Sequence, residues 1–186
     1  KIAHGENAYI DACIIGSSQQ VADGDVVVVM GGTEENIAAC KDLLDIFARE
    51  VFHMGENGKG CEAKLVVNLV LGLNRLVLSE GLLLAESLGM DLEKTLNFLK
   101  SGAAYSRVMD TKGRKMLSKD YVPQARLSQH LKDVRLILEQ GKTNDVHLHL
   151  SDLHRRILEA GVEAGWGDYD NSAVFEILRR RLAECP

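Results

Sequence analysis

The run from Lys64 to Gly89, "KLVVNLVLGLNRLVLSEGLLLAESLG", limits the possible folds more than any other stretch of the chain. Its length and hydrophobicity come close to those of a bilayer span, which takes about 20 apolar residues. Lys64, Arg75, Glu80 and Glu86 recur through it, however, with Asn68 and Asn74 between them. The pattern predicts a long helix buried inside a protein, with neighbours on most of its sides. A membrane partner is therefore not expected.

Ahead of this run the pattern is different. Residues 9–15 ("YIDACII") and 26–30 ("VVVVM") read as short strands, each closed by glycine or serine. Unbroken β-branched runs of this kind predict strands buried on both faces, as in a sheet covered by helices. Thr33 is placed to cap a helix with Glu34 and Glu35 in its first turn, where acids suit the helix dipole. Ile37, Leu43, Leu44 and Phe47 would form its buried side, and residues 51–54 a third strand. The first third thus reads β-β-α-β, one edge of an α/β domain.

Everything after Lys64 reads as helix: 64–89, then 92–100 behind Asp91, 104–117, 125–140 closed by Gly141, 146–164 closed by Gly165, and 171–183. The one boundary drawn from the pattern separates residues 1–58 from an all-helical 59–186. Residues 1–7 lack an initiator methionine and read as the end of a helix entering a turn, which points to a longer protein upstream.

Composition removes some function classes. With 22 basic and 27 acidic residues, the formal net charge is −5, so there is no footprint for nucleic acid or an anionic membrane. The four cysteines (Cys13, Cys40, Cys61, Cys185) show no CxxC or zinc-ligand spacing and read as reduced thiols, which predicts a cytoplasmic or mitochondrial-matrix protein. His147 and His149, two apart, would face different ways on a helix, and no HExxH run occurs, so no metal site is expected.

The chemistry-bearing candidate is "GENGKGCEAKLVVN", residues 55–68. Its GxxGxG spacing, placed after the α/β segment, does not fit a dinucleotide phosphate loop, which opens the first helix of a βαβ unit. It reads instead as a sharp turn delivering Lys64 to the start of the long helix. Asn68 follows one turn later on the same face. A lysine near a helix N-terminus sits on the unfavourable side of the dipole, which lowers its pKa, and in a low-dielectric cleft it serves as general acid or base. From spacing alone, a solvated Lys64 and a satisfied Asn68 are the favoured explanation of the pattern. Lys132 and Asp133 beside an apolar stripe, and Asp170 or Asn171 capping a final helix, likewise have plain structural readings.

Taken in order, these stretches resemble the β-hydroxyacid dehydrogenases, the group that contains 3-hydroxyisobutyrate dehydrogenase, tartronate semialdehyde reductase and the glyoxylate/succinic semialdehyde reductases. "DACIIGSSQQVADGDVVVVMGG" stands where the family has its substrate-contacting DAPVSGG segment. "GENGKGCEAKLVVN" is similar to its G-x-x-G-x-G-x-x-x-K-x-x-x-N, "LKD" (131–133) to its KDL, and "GWGDYDNSAV" to its G-x-x-D-x-S.

The resemblance implies a mostly α fold: an all-helical, 6-phosphogluconate-dehydrogenase-like C-terminal domain preceded by the last strands of a Rossmann-type domain. It implies NAD or NADP as cofactor, with the pyrophosphate site outside this chain, and a homodimer or homotetramer acting on a small hydroxyacid or semialdehyde. It makes Lys64 the catalytic acid/base. Asn68 would hold the substrate, with Gly16 and Ser17 around its carboxylate and Asp133 shaping the site, while Lys132 would approach the cofactor. Two departures bear on the substrate: Ile15 replaces the family serine, and Ala125 stands where an aromatic is frequent. The alternative function is a non-catalytic oligomerisation or binding module on the same helical scaffold.

Overall fold

The computed structural model describes residues 9–184; the initial segment read as a helix end, and Cys185, lie outside the described residues. The chain divides into two compact units, Lys1–Val67 and Asn68–Pro186.

The first unit is a three-stranded sheet with short helices. Its elements are β1 (Asp11–Ile15), α1 (Ser18–Ala22), β2 (Val26–Gly31), α2 (Glu34–Ala39), α3 (Lys41–Leu44) and β3 (Ala48–His53). Strand order is β1-β2-β3, with β1 antiparallel and β3 parallel to the central β2. Only β2 meets the expectation of burial on both faces: Val26, Val28, Val29 and Met30 are all buried. The outer strands are half-open, and Ile14, Val51 and Phe52 are exposed. The expected single helix after Thr33 breaks at Cys40 into α2 and α3, and Thr33 Oγ1 caps the first by accepting from Asn36 N at 3.3 Å. The helix α1 escaped the sequence reading because it buries no residue and so leaves no apolar stripe.

The long helix is α4 (Lys59–Ser87). It ends in Gly89 at φ 71°, the left-handed conformation that a glycine adopts without strain. The expectation that it is buried on most sides is corrected. Leu76, Leu78, Ser79, Leu82, Leu83 and Ala85 are buried, whereas Val70, Val77 and Leu84 are 49%, 67% and 61% exposed. Those three residues fall seven apart, so they form one open apolar stripe along α4. By length and composition α4 is the one helix among the described residues that is apolar enough to cross a membrane.

The second unit continues with α5 (Leu92–Ser101), a π-helical stretch Met109–Gly113, α6 (Arg114–Ser118), α7 (Leu127–Thr143), α8 (His149–Glu163), a 3-10 turn Asn171–Ala173 and α9 (Val174–Glu184). Its core joins Leu78 and Leu82 of α4 to Leu96, Met116, Leu127, Val134, Leu158 and Phe175. Asp91 caps α5 as expected, its Oδ1 accepting from Lys94 N at 2.9 Å. Gly141 does not close its helix, and α7 runs on to Thr143. A Cβ at Gly141 would lie 2.9 Å from both Leu148 Cδ1 and Val146 O, so close packing rather than a cap calls for glycine there.

Candidate active site

The site is built first at the join between β1 and the start of α4. Side chains alternate along a strand, so Asp11 and Cys13 share a face of β1. A Cβ on Gly60 would lie 2.8 Å from Asp11 Oδ2 and 2.9 Å from Asp11 O, so the helix start rests directly on β1. Asp11 Oδ1 accepts from Gly58 N at 2.6 Å, and Oδ2 accepts from Cys61 N at 2.8 Å. The first N–H groups of a helix have no partner within it. Here a carboxylate of the same chain takes two donors of the α4 entry. That is the physical reason the glycine-rich turn is no phosphate cradle: its anion is built in. Burial pushes the Asp11 carboxyl up, but these N–H donors outweigh it and hold the group below its usual range.

The same negative charge offsets the dipole where Lys64 stands. Lys64 is half-buried, and its Nζ donates to the carbonyl of Ile14 at 2.8 Å. Gly16 and Ser17 follow on the chain after Ile15. A Cβ on Gly16 would lie 2.6 Å from Val26 Cγ1, so no larger residue fits without movement. Ser17 caps α1: its Oγ accepts from Gln20 N at 3.3 Å, and its N–H donates to Gln20 Oε1 at 3.0 Å. The Ser17 N–H is therefore already engaged, which leaves its hydroxyl proton as the donor it can offer.

In the helical unit, Asn68 Nδ2 donates to Asp133 Oδ2 at 3.1 Å, joining α4 to α7 across 65 residues of sequence. The structure thus brings Asn68 and Asp133 together. Lys132 is largely in solvent, its side chain 73% exposed, but its Nζ forms a loose ion pair with Asp133 Oδ1 at 3.9 Å.

Two polar clusters escaped the sequence reading. Asp170, fully buried, accepts from Lys112 Nζ at 2.9 Å on each oxygen, and from the N–H groups of Gln124, Ala125 and Ser172. Burial opposes its charge, but Lys112 and the N–H donors win and lower the carboxyl to about 2. Capping explains only the Ser172 contact. The π-helical turn carrying Lys112 leaves no periodicity to read.

The second cluster is Arg75 with His130 and His154, all buried, the two imidazoles 5.1 Å apart. They close over Gly72, where a Cβ would lie 2.5 Å from His130 Nε2. Burial and the Arg75 charge push His154 down to about 4, and burial with the charges of Arg75 and His154 pushes His130 well below its usual value. The rings of His147 and His149 pack edge to face at 4.5 Å, contrary to expectation, because α8 begins only at His149 and helical geometry does not separate them. No cluster of three or more metal-ligating side chains exists among the described residues.

Solved structures share this fold. The 3-hydroxyisobutyrate dehydrogenase of Salmonella typhimurium superposes with a TM-score of 0.85 at 24% identity, over 91% of this chain and 60% of that one. The Mycobacterium tuberculosis 3-hydroxyisobutyrate dehydrogenase, solved with L-serine, gives 0.81 at 23% identity over 91% and 60%. Residues 58–178 match the family model described as NAD-binding of NADP-dependent 3-hydroxyisobutyrate dehydrogenase, and the chain belongs to that family. The resemblance and the mostly α architecture expected from the motifs are borne out.

Among curated relatives, glyoxylate/succinic semialdehyde reductase 1 of Arabidopsis thaliana is 28% identical over 92% of this chain and 59% of its own length. The 2-hydroxy-3-oxopropionate reductase of Escherichia coli is 26% identical over 91% and 58%. The cytokine-like nuclear factor N-PAC of Drosophila melanogaster is 27% identical over 90% of this chain but 28% of its own length. The chain therefore spans less than two thirds of each of these relatives.

Proposed function

We propose that this chain is part of an NAD(P)-dependent oxidoreductase that interconverts a small β-hydroxyacid and its semialdehyde, with Lys64 as general acid/base. The observation that carries the reading is the seat of Lys64. Its ammonium is half-buried and fixed by the Ile14 carbonyl at 2.8 Å, on a helix start pinned by Asp11. The carbonyl sets the position of Nζ without taking its proton.

In the reducing direction Lys64 Nζ gives a proton to the substrate oxygen as the carbonyl carbon is reduced. In the oxidising direction the neutral amine takes the hydroxyl proton back. A bound nicotinamide supplies or accepts the hydride. Asn68 holds the substrate: because Nδ2 donates to Asp133, its Oδ1 is oriented as the acceptor for a hydroxyl. Gly16 and Ser17 meet the carboxylate, with the Ser17 hydroxyl as donor, and Ile15 makes this contact poorer by one hydroxyl. Lys132, exposed on α7, suits a nucleotide phosphate. Relatives named as reductases of glyoxylate, succinic semialdehyde and 2-hydroxy-3-oxopropionate support a small anionic carbonyl substrate. Self-association through the open stripe of α4 completes the reading; nucleic acid and membrane form no part of it.

The rival is a binding or oligomerisation module, favoured by the relative named as a nuclear factor. Replacing Lys64 with Ala in the intact protein separates the two. We expect kcat to fall by about 100- to 10,000-fold, the usual worth of a general acid/base, with the Kd for NAD(P)H unchanged. Unchanged turnover rejects the catalytic role, and an intact protein with no reductase activity at all on small semialdehydes favours the rival.

A further inference from the structure

Cys13 and Cys61 lie 48 residues apart in sequence, yet their sulfur atoms are 3.8 Å apart. We infer that Cys13 and Cys61 are a redox modification site: a dithiol that a peroxide converts to a disulfide, displacing Lys64. The effect on turnover rests on the catalytic reading of Lys64; the crosslink itself does not.

The geometry carries the crosslink. A disulfide needs the sulfurs at about 2.05 Å, so each must move by less than the length of one covalent bond. The backbones on which they sit are already fastened. Cys61 N–H donates to Asp11 Oδ2 at 2.8 Å, and Asp11 is two residues from Cys13 on the same face of β1. The tight approach of Gly60 to the Asp11 carbonyl holds the same two segments together. Access is open, since Cys61 is exposed and Cys13 half-buried.

The chemistry balances with hydrogen peroxide as oxidant. One thiol attacks the peroxide, whose O–O bond breaks, to give a sulfenic acid and one water. The second thiol attacks that sulfur, forming the S–S bond and releasing a second water. Two thiols are oxidised by two electrons and one peroxide is reduced. Burial, the contact with Cys13 and the Asp11 carboxylate push the Cys61 thiol up to about 11. Only the thiolate is strongly nucleophilic, so Cys61 is a slow first attacker. With the sulfurs 3.8 Å apart, a sulfenic acid formed on one cysteine is within reach of the other.

The two cysteines flank the contact that seats Lys64. Cys61 is one turn before Lys64 on α4, and Cys13 precedes Ile14, whose carbonyl Lys64 holds. Closing the sulfur gap pulls the end of β1 against the first turn of α4 and moves that carbonyl relative to Nζ. A misplacement of about 1 Å in a catalytic geometry is enough for roughly a 100-fold change in rate.

The test treats the intact protein with hydrogen peroxide, blocks remaining thiols with N-ethylmaleimide, and maps peptides by mass spectrometry beside a turnover assay. We expect a Cys13–Cys61 crosslinked peptide that dithiothreitol reverses. Turnover should fall by about 10- to 100-fold and recover on reduction. The variants Cys13→Ser and Cys61→Ser should keep basal turnover and lose the reversible response. Separate alkylation of both thiols after oxidation, or over-oxidation of Cys13 with no crosslink, overturns the site. A crosslink with unchanged turnover overturns the displacement of Lys64. Because the Lys64→Ala variant should still form the crosslink, failure of the catalytic reading is told apart from failure of this one.

Discussion

Lys112 Nζ stands 2.9 Å from both carboxylate oxygens of Asp170, 58 residues further along the chain, and together they form the most buried ion pair described in the helical unit. The two partners are not equivalent. Asp170 also accepts from the N–H groups of Gln124, Ala125 and Ser172, so with Lys112 it ties together three segments of chain, whereas Lys112 donates to Asp170 and Gln124.

Asp170→Ala should therefore destabilise the protein by about 3–5 kcal/mol, the usual effect of leaving a buried charge unpaired. Lys112→Met should cost less, because the carboxylate keeps its N–H donors. Urea unfolding at neutral pH checks the ranking, and equal losses would contradict the idea that Asp170 is the hub.

Acid should act in two windows. His154 is held near 4 against an ordinary 6.5, and His130 is also held low. Their folded pKa values lie below their unfolded ones, so the unfolded chain binds more protons as pH falls. Stability is full above pH 6.5 and declines down to the folded value, by about 3 kcal/mol for His154 alone. Asp170 adds a second loss between 3.8 and about 2, as its carboxylate is protonated. Unfolding free energies measured from pH 7.5 to 4, in the native protein and in His154→Leu, should show a slope that the variant flattens.

Asp11→Ala removes the acceptor for Gly58 and Cys61 N–H. A lost cap is worth about 0.5–2 kcal/mol. Hydrogen exchange should therefore quicken at residues 58–61 while protection in α7 and α8 stays unchanged. Turnover should fall as well if Lys64 depends on the anchored helix start.

Val77→Glu combined with Leu84→Glu places two charges on the open stripe of α4. Light scattering at micromolar concentration should show an oligomer for the native protein and a smaller species for the double variant. A native monomer would remove self-association from the functional reading.

The motifs around Lys64 and Asn68 were legible in the sequence because a fixed spacing near a helix start leaves a linear trace. The strands and most helices were legible for a similar reason: β-branched runs and apolar periodicity are local. Asp11, Lys112 and the pairing of Cys13 with Cys61 were not. Each works through a partner 46 or more residues away, and nothing in a local window records that. The exposure of Val77 and Leu84 escaped for the opposite reason. An apolar residue reads as core whether its neighbour is the same chain or a second copy.

The position of Asp170 has a consequence for synthesis. Lys112 leaves the ribosome long before its counter-ion does, and the N–H groups of Gln124 and Ala125 wait for the same acceptor. The helices already made can collapse on their apolar faces, but three polar anchors inside the domain lack their shared acceptor until residue 170 arrives. Completion of the helical unit is thus a late step, closed from the C-terminal side, with a long-range contact as its latch. Chains stalled before that point are expected to remain loosely packed and open to proteases, however complete their helices are.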